Sequence, residues 1–285
     1  MKIKITGDST LDLSKELLEK YQISLMPLEV TLGDDTFLDG VNITREDIYN
    51  FEKKTGKLPK TAARSAFVYK EFFESFLAQG YDAVIHFNIS SLLSASHQST
   101  YQAAQELTNV YAIDTLALST GSSLLALYAS ELAQEGKTAQ EIVDLVEKRK
   151  PYIQTSFIID TLNYLYKGGR CSKLQLLGAN LLKIKPTIVM KNGRLDVGKK
   201  FRGPMAKVVT EYVKNILDSY NTPDLTRVFI THTDAPAEVV QEVKNILTER
   251  FNFKEILETT AGATVTSHCG KGTLGILYLN DGQQN

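Results

Sequence analysis

Hydroxyl side chains cluster where an apolar run gives way to a helical pattern. The run at 83–87 is followed by Asn-Ile-Ser-Ser-Leu-Leu-Ser-Ala-Ser at 88–96. A helix start offers unpaired backbone N–H groups and the positive end of the helix dipole, so serine hydroxyls beside it can add donors around a carboxylate or phosphate. A simpler interpretation is that Ser94 or Ser96 only caps the helix. The segment alone leaves both interpretations open.

Two other segments carry side chains that can bind an anion. His268 lies among hydroxyl residues and glycines at 264–272, where its imidazole could hydrogen-bond an anionic head group or simply hold a turn. Arg170 follows a pair of glycines that could aim the guanidinium inward or could merely end a helix. A basic group at 199–203 precedes a helix and is either a solvated rim or a docking surface.

Familiar enzyme motifs do not fit the chain. The spacing Gly-x-Gly-x-x-Gly at 270–275 leaves no room for the βαβ unit of a dinucleotide site. The Walker-like spacing at 193–199 lacks the Ser or Thr that would bind magnesium, and Asn192-Gly193 instead predicts a hairpin turn. Neither a Gly-x-Ser-x-Gly elbow nor a His-Glu-x-x-His helix is present. These observations disfavour nucleotide and hydrolase chemistry.

The composition is that of an ordinary globular protein. Of 285 residues, 43% are hydrophobic and 23% are charged, and the net charge of -1 gives no basic field for nucleic acid or an anionic membrane. We therefore expect any anion site to be local. The N-terminus lacks the apolar run of a signal peptide, and Cys171 and Cys269 have neither metal nor disulfide spacing. These features predict a cytoplasmic protein with reduced thiols.

Strand-like and helical patterns alternate along the chain, which predicts an α/β fold. The strand-like runs are at 2–6, 25–32, 83–87, 110–113, 156–159, 185–190, 227–231 and 274–278. The amphipathic stretches are at 14–20, 44–53, 67–77, 94–107, 121–135, 138–150, 204–220 and 237–251. Thr44-Arg-Glu-Asp47 predicts a capping box. A charged helix ends before Pro151, so we expect two α/β domains, residues 1-152 and 153-285.

Short polar motifs are spread along nearly the whole chain. In order, they are Asp-Ser-Thr-Leu-Asp at 8–12, Phe-Leu-Asp-Gly at 37–40, Pro-Lys-Thr at 59–61, Ile-Ser-Ser-Leu-Leu-Ser at 89–94, Ile-Asp-Thr at 113–115 followed by Ser119, Tyr-Lys-Gly-Gly-Arg at 166–170, Lys-Lys-Phe-Arg-Gly at 199–203 and His-Cys-Gly-Lys-Gly at 268–272. This ordered set resembles the DegV family of bacterial fatty-acid-binding proteins. The chain departs from the family pattern at Ala62-Ala63-Arg64, at Ala95-Ser96 and at Lys271, where the family has proline.

The resemblance implies a two-domain α/β fold with a Rossmann-like N-terminal domain, a C-terminal α/β domain and a lipid pocket between them. A long-chain fatty acid would lie in this pocket, with its carboxylate bound by residues from several loops. The expected carboxylate-binding residues are Thr61, Ser94, Ser91, His268, Ser267 and Arg170. Candidate tunnel residues are Leu92, Leu93, Phe157, Ile158, Ile159, Leu162, Leu176, Leu177, Leu181 and Leu182.

The resemblance also implies a partner, a separate ATP-dependent fatty acid kinase that converts the bound acid to an acyl phosphate for phospholipid synthesis. Lys200 and Arg202 are expected to contact that kinase. The chain itself would be a carrier and not an enzyme, with no cofactor, no metal, no nucleic acid partner and no stable membrane insertion, although transient membrane contact could exchange lipid. Two alternatives stay open: an acyl- or phosphoryl-transfer enzyme that uses the Ser91 and His268 region, and a ligand-sensing regulator.

Overall fold

The structure is a computed structural model, and it describes residues 1–172 and 184–282. Its strands are β1 (Ile3–Asp8), β2 (Ser24–Met26), β3 (Glu29–Leu32), β4 (Asp35–Leu38), β5 (Lys60–Ala62), β6 (Ala83–Asn88), β7 (Val110–Asp114), β8 (Ile153–Ile158), β9 (Lys185–Lys191), β10 (Arg194–Phe201), β11 (Arg227–His232), β12 (Glu255–Thr260) and β13 (Leu274–Leu279). Its α-helices are α1 (Lys15–Lys20), α2 (Arg45–Thr55), α3 (Ala66–Ala78), α4 (Ser96–Gln105), α5 (Thr120–Gln134), α6 (Ala139–Arg149), α7 (Asn163–Gly168), α8 (Met205–Ser219), α9 (Ala237–Arg250) and α10 (Ala263–Cys269). Short 3-10 turns lie at Ser9–Leu11 and Lys150–Tyr152.

The N-terminal half contains a four-stranded parallel sheet in the order β2-β1-β6-β7. Parallel strands are usually covered on both faces, and every residue of β6 is buried. One face packs against α3 and α4 through Phe73 and Val84, and the other packs against α5 and α6. Because β1, β6 and β7 end at Asp8, Asn88 and Asp114, three polar side chains meet at one edge of this sheet.

The C-terminal half contains a six-stranded mixed sheet in the order β10-β9-β8-β13-β11-β12, in which only β11 and β12 pair in parallel. Helices α8 and α9 cover one face. Helix α5 covers the other face and also packs on the N-terminal sheet, so one apolar core joins Ile85, Leu125 and Leu277. Gly121 permits this close approach, because a Cβ there would lie 2.2 Å from Thr155 Oγ1.

A small antiparallel sheet in the order β4-β3-β5 carries Thr61. Its core residue Val30 packs with α2 and with Ala263 of α10. The predicted capping box at the start of α2 is confirmed, since Thr44 accepts the Asp47 N–H and the Asp47 carboxylate accepts the Thr44 N–H. The small sheet therefore lies directly against the helix that contains His268.

The predicted α/β alternation is confirmed. The observed strands and helices differ from the predicted ones mainly where the elements are short. The run predicted at 25–32 breaks at Pro27 into β2 and β3, which belong to different sheets, because proline cannot donate a ladder hydrogen bond. Asn192 and Gly193 have φ angles of 48° and 77°, which confirms the predicted hairpin turn between β9 and β10. The segment around His268, where the sequence left a turn as one interpretation, is helix α10.

The six-stranded sheet begins at Ile153, directly after the expected domain boundary. Since α5 shares its apolar core with both larger sheets, the division into domains 1-152 and 153-285 stays a prediction. None of the helices in the described ranges has the length and apolar character needed to cross a lipid bilayer.

Candidate functional site

A cavity of about 250 Å³ lies between the N-terminal and C-terminal halves of the chain. Its lining includes a polar cluster, which we define as Thr61, Ser94, Arg170 and His268. The larger apolar side chains around it come from both halves and are Leu28, Ile89, Leu93, Leu118, Phe157, Leu165, Leu195, Val265 and Cys269. A few polar groups on an otherwise apolar wall are typical of a site for a small amphipathic molecule.

The Thr61 hydroxyl and the His268 imidazole are in direct contact, with 2.8 Å between Oγ1 and Nε2. Strand β5 presents the threonine, and the last turn of α10 presents the histidine. Burial, together with the positive charge of Arg170, lowers the pKa of His268 from 6.5 to about 4. The imidazole is therefore neutral near pH 7. When its Nε2 carries the proton, it donates to Thr61 and leaves the threonine O–H free to donate to an anion.

Gly168, the last residue of α7, makes room for this imidazole. A Cβ at Gly168 would lie 2.7 Å from His268 Nδ1. That nitrogen is buried and has no hydrogen-bond partner among the described residues. The ring is thus held by a hydrogen-bonding contact on one side and by close packing against α7 on the other.

Ser94 lies just before α4, which begins at Ser96. The residue at the capping position is Ala95, which has no side-chain hydrogen bond, so neither Ser94 nor Ser96 caps α4 in the usual way. The Ser94 Oγ instead accepts the Ser96 N–H at 3.2 Å and lies 3.1 Å from Ser96 Oγ. When Ser96 donates in that second contact, Ser94 keeps its own O–H for a ligand in the cavity.

Buried polar residues behind the serine turn hold it in place, and the sequence alone gave them no role in the site. The Asp8 carboxylate accepts the Ile89 N–H at 3.1 Å and the Asn88 amide at 3.2 Å. Asn88 also donates to the Thr100 hydroxyl, which in turn donates to the Ser96 carbonyl, and both distances are 2.9 Å. A chain of hydrogen bonds therefore runs from the end of β1 to the start of α4.

Two buried carboxylates anchor the start of α10. Asp12 accepts the Gly262 N–H at 2.7 Å, and Asp39 accepts the Ala263 N–H at 2.8 Å. Ser119 also donates to Asp12. Burial raises the pKa of Asp12 from 3.8 to about 7, opposed by the hydrogen bonds from Gly262 and Ser119 and reinforced by the negative charge of Asp39. These contacts fix the position of the helix that carries the site histidine.

Arg170 completes the polar cluster from the segment after α7. Its Nη1 donates to the Gly168 carbonyl at 2.7 Å, and its Nε donates to the Leu93 carbonyl at 3.4 Å. The side chain is exposed but also lines the cavity. It thereby places a positive charge beside the hydroxyl and imidazole groups, where it would attract an anionic head group.

Nearly the whole chain is similar to proteins of one family. A family model described as "Uncharacterised protein, DegV family" matches residues 2–281. The chain belongs to the DegV family. The resemblance expected from the ordered motifs is confirmed.

Some relatives of this DegV chain are described as fatty acid-binding proteins. A curated fatty acid-binding protein from Thermotoga maritima is 32% identical over 281 residues, which are 96% of this chain and 96% of the relative. The solved structure of a fatty acid-binding DegV family protein from Thermus thermophilus has a TM-score of 0.90 at 28% identity, covering 98% of this chain and 100% of its own. A stearic acid-binding protein from Eubacterium ventriosum has a TM-score of 0.84 at 27% identity, covering 98% of each chain.

Two residues expected at the head-group site of this DegV protein lie outside the cavity lining. Ser91 is exposed, and its N–H donates to Asp114 Oδ1 at 3.1 Å. Ser267 is buried, and its hydroxyl donates to the Ala263 carbonyl at 2.7 Å. Thr61, Ser94, Arg170 and His268 are the members of the expected set that the structure brings together at the cavity.

The apolar lining of this DegV protein also differs from the expected tunnel residues. Leu93 and Phe157 line the cavity, whereas Leu92 is exposed on the surface. The residues buried in the core outside the lining are Ile158, Ile159 and Leu162. The expected residues outside the described parts of the chain are Leu176, Leu177, Leu181 and Leu182. Residue type alone does not separate cavity wall from ordinary core, which is why several lining residues were missed.

Two further histidines of the DegV chain, His86 and His232, have partners away from the cavity. His86 is fully buried, with its Nε2 3.2 Å from Asp8 Oδ1, and His232 lies 3.2 Å from Glu258 Oε1. Within residues 1–172 and 184–282, no group of three or more His, Cys, Asp or Glu side chains is arranged to hold a metal ion.

Proposed function

We propose that this chain binds a long-chain fatty acid, with the hydrocarbon tail in the cavity and the carboxylate beside Thr61, Ser94 and His268. The observation that carries the proposal is the convergence of two hydroxyls and a neutral imidazole, from three separate segments, on one largely apolar cavity. The fatty acid-binding relatives support the same assignment.

The two parts of the ligand contribute differently. Hydrogen bonds from hydroxyls to a carboxylate contribute about 1.5–3 kcal/mol each and determine which end of the acid meets the polar cluster. The tail contributes about 0.8 kcal/mol for each buried CH₂, before the cost of ordering the chain. In this arrangement His268 orients the Thr61 proton, and Arg170 supplies the balancing positive charge.

In this proposal the chain is a carrier for a separate ATP-dependent fatty acid kinase. A carboxylate oxygen of the bound acid attacks the γ-phosphorus of ATP and ADP leaves, which gives an acyl phosphate for phospholipid synthesis. Lys200 and Arg202 are exposed at and just after the end of β10, as contact with such a partner requires. Their positive charges suit an acidic surface on the kinase.

The geometry favours binding over acyl or phosphoryl transfer by the chain itself. A hydroxyl nucleophile needs a base in contact with it, and that base needs an orienting partner. Ser91 is exposed and held through its N–H by Asp114. The Nδ1 of His268 has no hydrogen-bond partner among the described residues. The alternative of a transfer enzyme that uses the Ser91 and His268 region therefore has little geometric support.

Mass spectrometry of the ligand extracted from the purified full chain tests the proposal. We expect a fatty acid in about stoichiometric amount, no turnover of acyl esters or ATP by the chain alone, and acyl phosphate formation when the kinase and ATP are added. Ser94→Ala lowers fatty acid retention, whereas the matched control Ser91→Ala, outside the lining, does not. A chain that carries no acid and takes up none on addition contradicts the proposal.

A further inference from the structure

A second, smaller void lies next to the apolar part of the cavity. It measures about 30 Å³ and is lined by residues of β8, β11, β13 and α10, among others. Some residues line both spaces and separate them, and we call them the floor: Leu118, Phe157, Val265 and Cys269. The described residues around the void include none of the polar cluster. The void therefore borders the apolar part of the cavity and not the polar cluster.

The floor is apolar and closely packed. Phe157 on β8 pairs with Gly275 on β13, and a Cβ at Gly275 would lie 3.1 Å from the Phe157 Cβ. Val265 and Cys269 lie one helical turn apart on α10, so they point to the same side. Burial raises the pKa of Cys269 to about 12, so its thiol stays uncharged. An uncharged wall of this kind suits contact with the end of a hydrocarbon chain.

We propose that the floor sets the greatest acyl length that the chain binds, with Phe157 as the main length-limiting residue. This inference rests on the proposed function, because an acyl tail must be anchored at the polar cluster for its far end to meet the floor. Phe157 has the largest side chain of the four, and it stands between the cavity and the void. A smaller residue there joins the two spaces and admits about one or two further carbons, each strengthening binding about four-fold.

The test measures dissociation constants of the delipidated full chain for straight saturated acids of about ten to about twenty carbons. For the unchanged chain we expect affinity to rise to an optimum length and then fall. Phe157→Leu shifts the optimum to acids about two carbons longer, and Val265→Ala, a second floor variant, shifts it in the same direction. Leu277→Val is the matched control, because Leu277 lines only the void and its truncation leaves the floor intact.

The outcomes separate this inference from the function on which it rests. An unchanged optimum in both floor variants, in proteins that still fold and bind, overturns the length-limiting role and leaves the proposed function standing. A shift in Leu277→Val as large as that in Phe157→Leu also overturns it, since the floor would then not be the barrier. Failure of the unchanged chain to bind any acid overturns the proposed function instead.

Discussion

Thr61 and His268 stand 207 positions apart in the sequence, and their side chains meet with 2.8 Å between Oγ1 and Nε2. The contact joins the small antiparallel sheet to the last turn of α10, next to α7. The direction of the threonine hydroxyl is therefore fixed by two distant segments at once. A polar group positioned in this way loses little freedom when it binds a ligand.

Replacing Thr61 by valine removes the hydroxyl while keeping the shape of the side chain. We expect Thr61→Val to weaken fatty acid binding about ten- to a hundred-fold, because one charge-assisted hydrogen bond is lost. Titration of the delipidated chain with a fatty acid measures this change. Thr36→Val, on the exposed strand β4 of the same sheet, is the control and keeps the affinity of the unchanged chain. Equal affinities in the two variants would show that Thr61 does not meet the carboxylate.

The His268 imidazole makes stability depend on pH. Its pKa is about 4 in the folded chain, lowered from 6.5 by burial and by Arg170, so the unfolded chain binds a proton first as pH falls. Its contribution is full above about pH 6.5 and falls by about 3 kcal/mol as pH drops to about 4. Urea unfolding at several pH values measures the free energy of unfolding. His268→Asn is expected to lose this dependence, and an unaltered pH profile in that variant would refute the assignment.

The Asp12 carboxyl group changes stability with pH in the opposite direction to His268, over nearly the same pH range. Burial raises its pKa to about 7 in the folded chain, despite the nearby Arg45, so the folded chain holds a proton that the unfolded chain has released. Its contribution to stability is full below about pH 4 and is lost as pH rises through about 7. Asp12→Asn keeps an acceptor for the Gly262 N–H and removes the titration. We expect this variant to become steadily more stable from about pH 4 to about pH 6.5, because the His268 effect is then no longer opposed by the Asp12 carboxyl group. Urea unfolding at several pH values measures the free energy of unfolding of this variant. A free energy that declines between about pH 4 and about pH 6.5 would contradict the prediction.

Local patterns in the sequence predict much of the architecture but few of the contacts that hold the site residues in place. The α/β alternation, the capping box at Thr44 and the hairpin at Asn192 each depend on neighbouring residues, so local sequence is enough to predict them. The anchoring of α10 by Asp12 and Asp39 joins residues more than two hundred positions apart. No spacing rule connects such residues, because their contact depends on how the sheets pack.

The residues expected at the head-group site were likewise predicted only in part from the sequence. The hydroxyl cluster at 88–96 was a candidate anion-binding segment, but residue type could not tell which serine reaches the cavity. Ser94 lines it and Ser91 does not, since the turn points Ser91 toward solvent. The role of Ser96 was also hidden, because its buried hydroxyl acts through Ser94 and not on the cavity.

Ser96 is therefore expected to be a positioning residue for Ser94. Ser96→Ala removes the hydroxyl 3.1 Å from Ser94 Oγ but keeps the N–H that Ser94 accepts. We expect fatty acid affinity to fall about three- to ten-fold, because the Ser94 proton loses its fixed direction. Ser96→Thr, which keeps a hydroxyl, restores most of it. Binding of the matching fatty alcohol distinguishes orientation from folding: a general structural defect weakens acid and alcohol equally, whereas loss of orientation weakens mainly the acid.

Gly168 provides the most direct test of how the imidazole is held. In Gly168→Ala, the new Cβ would lie 2.7 Å from His268 Nδ1, so the ring must move away from Thr61. We expect weaker fatty acid binding, by about ten-fold, since the displaced ring no longer directs the Thr61 hydroxyl. The double variant Gly168→Ala with His268→Ala gives the deciding measurement. Once the imidazole is gone, the alanine at 168 has nothing to displace, so its effect on affinity should vanish. A full additional loss in the double variant would mean that the alanine acts through the backbone of α7 and not through the histidine.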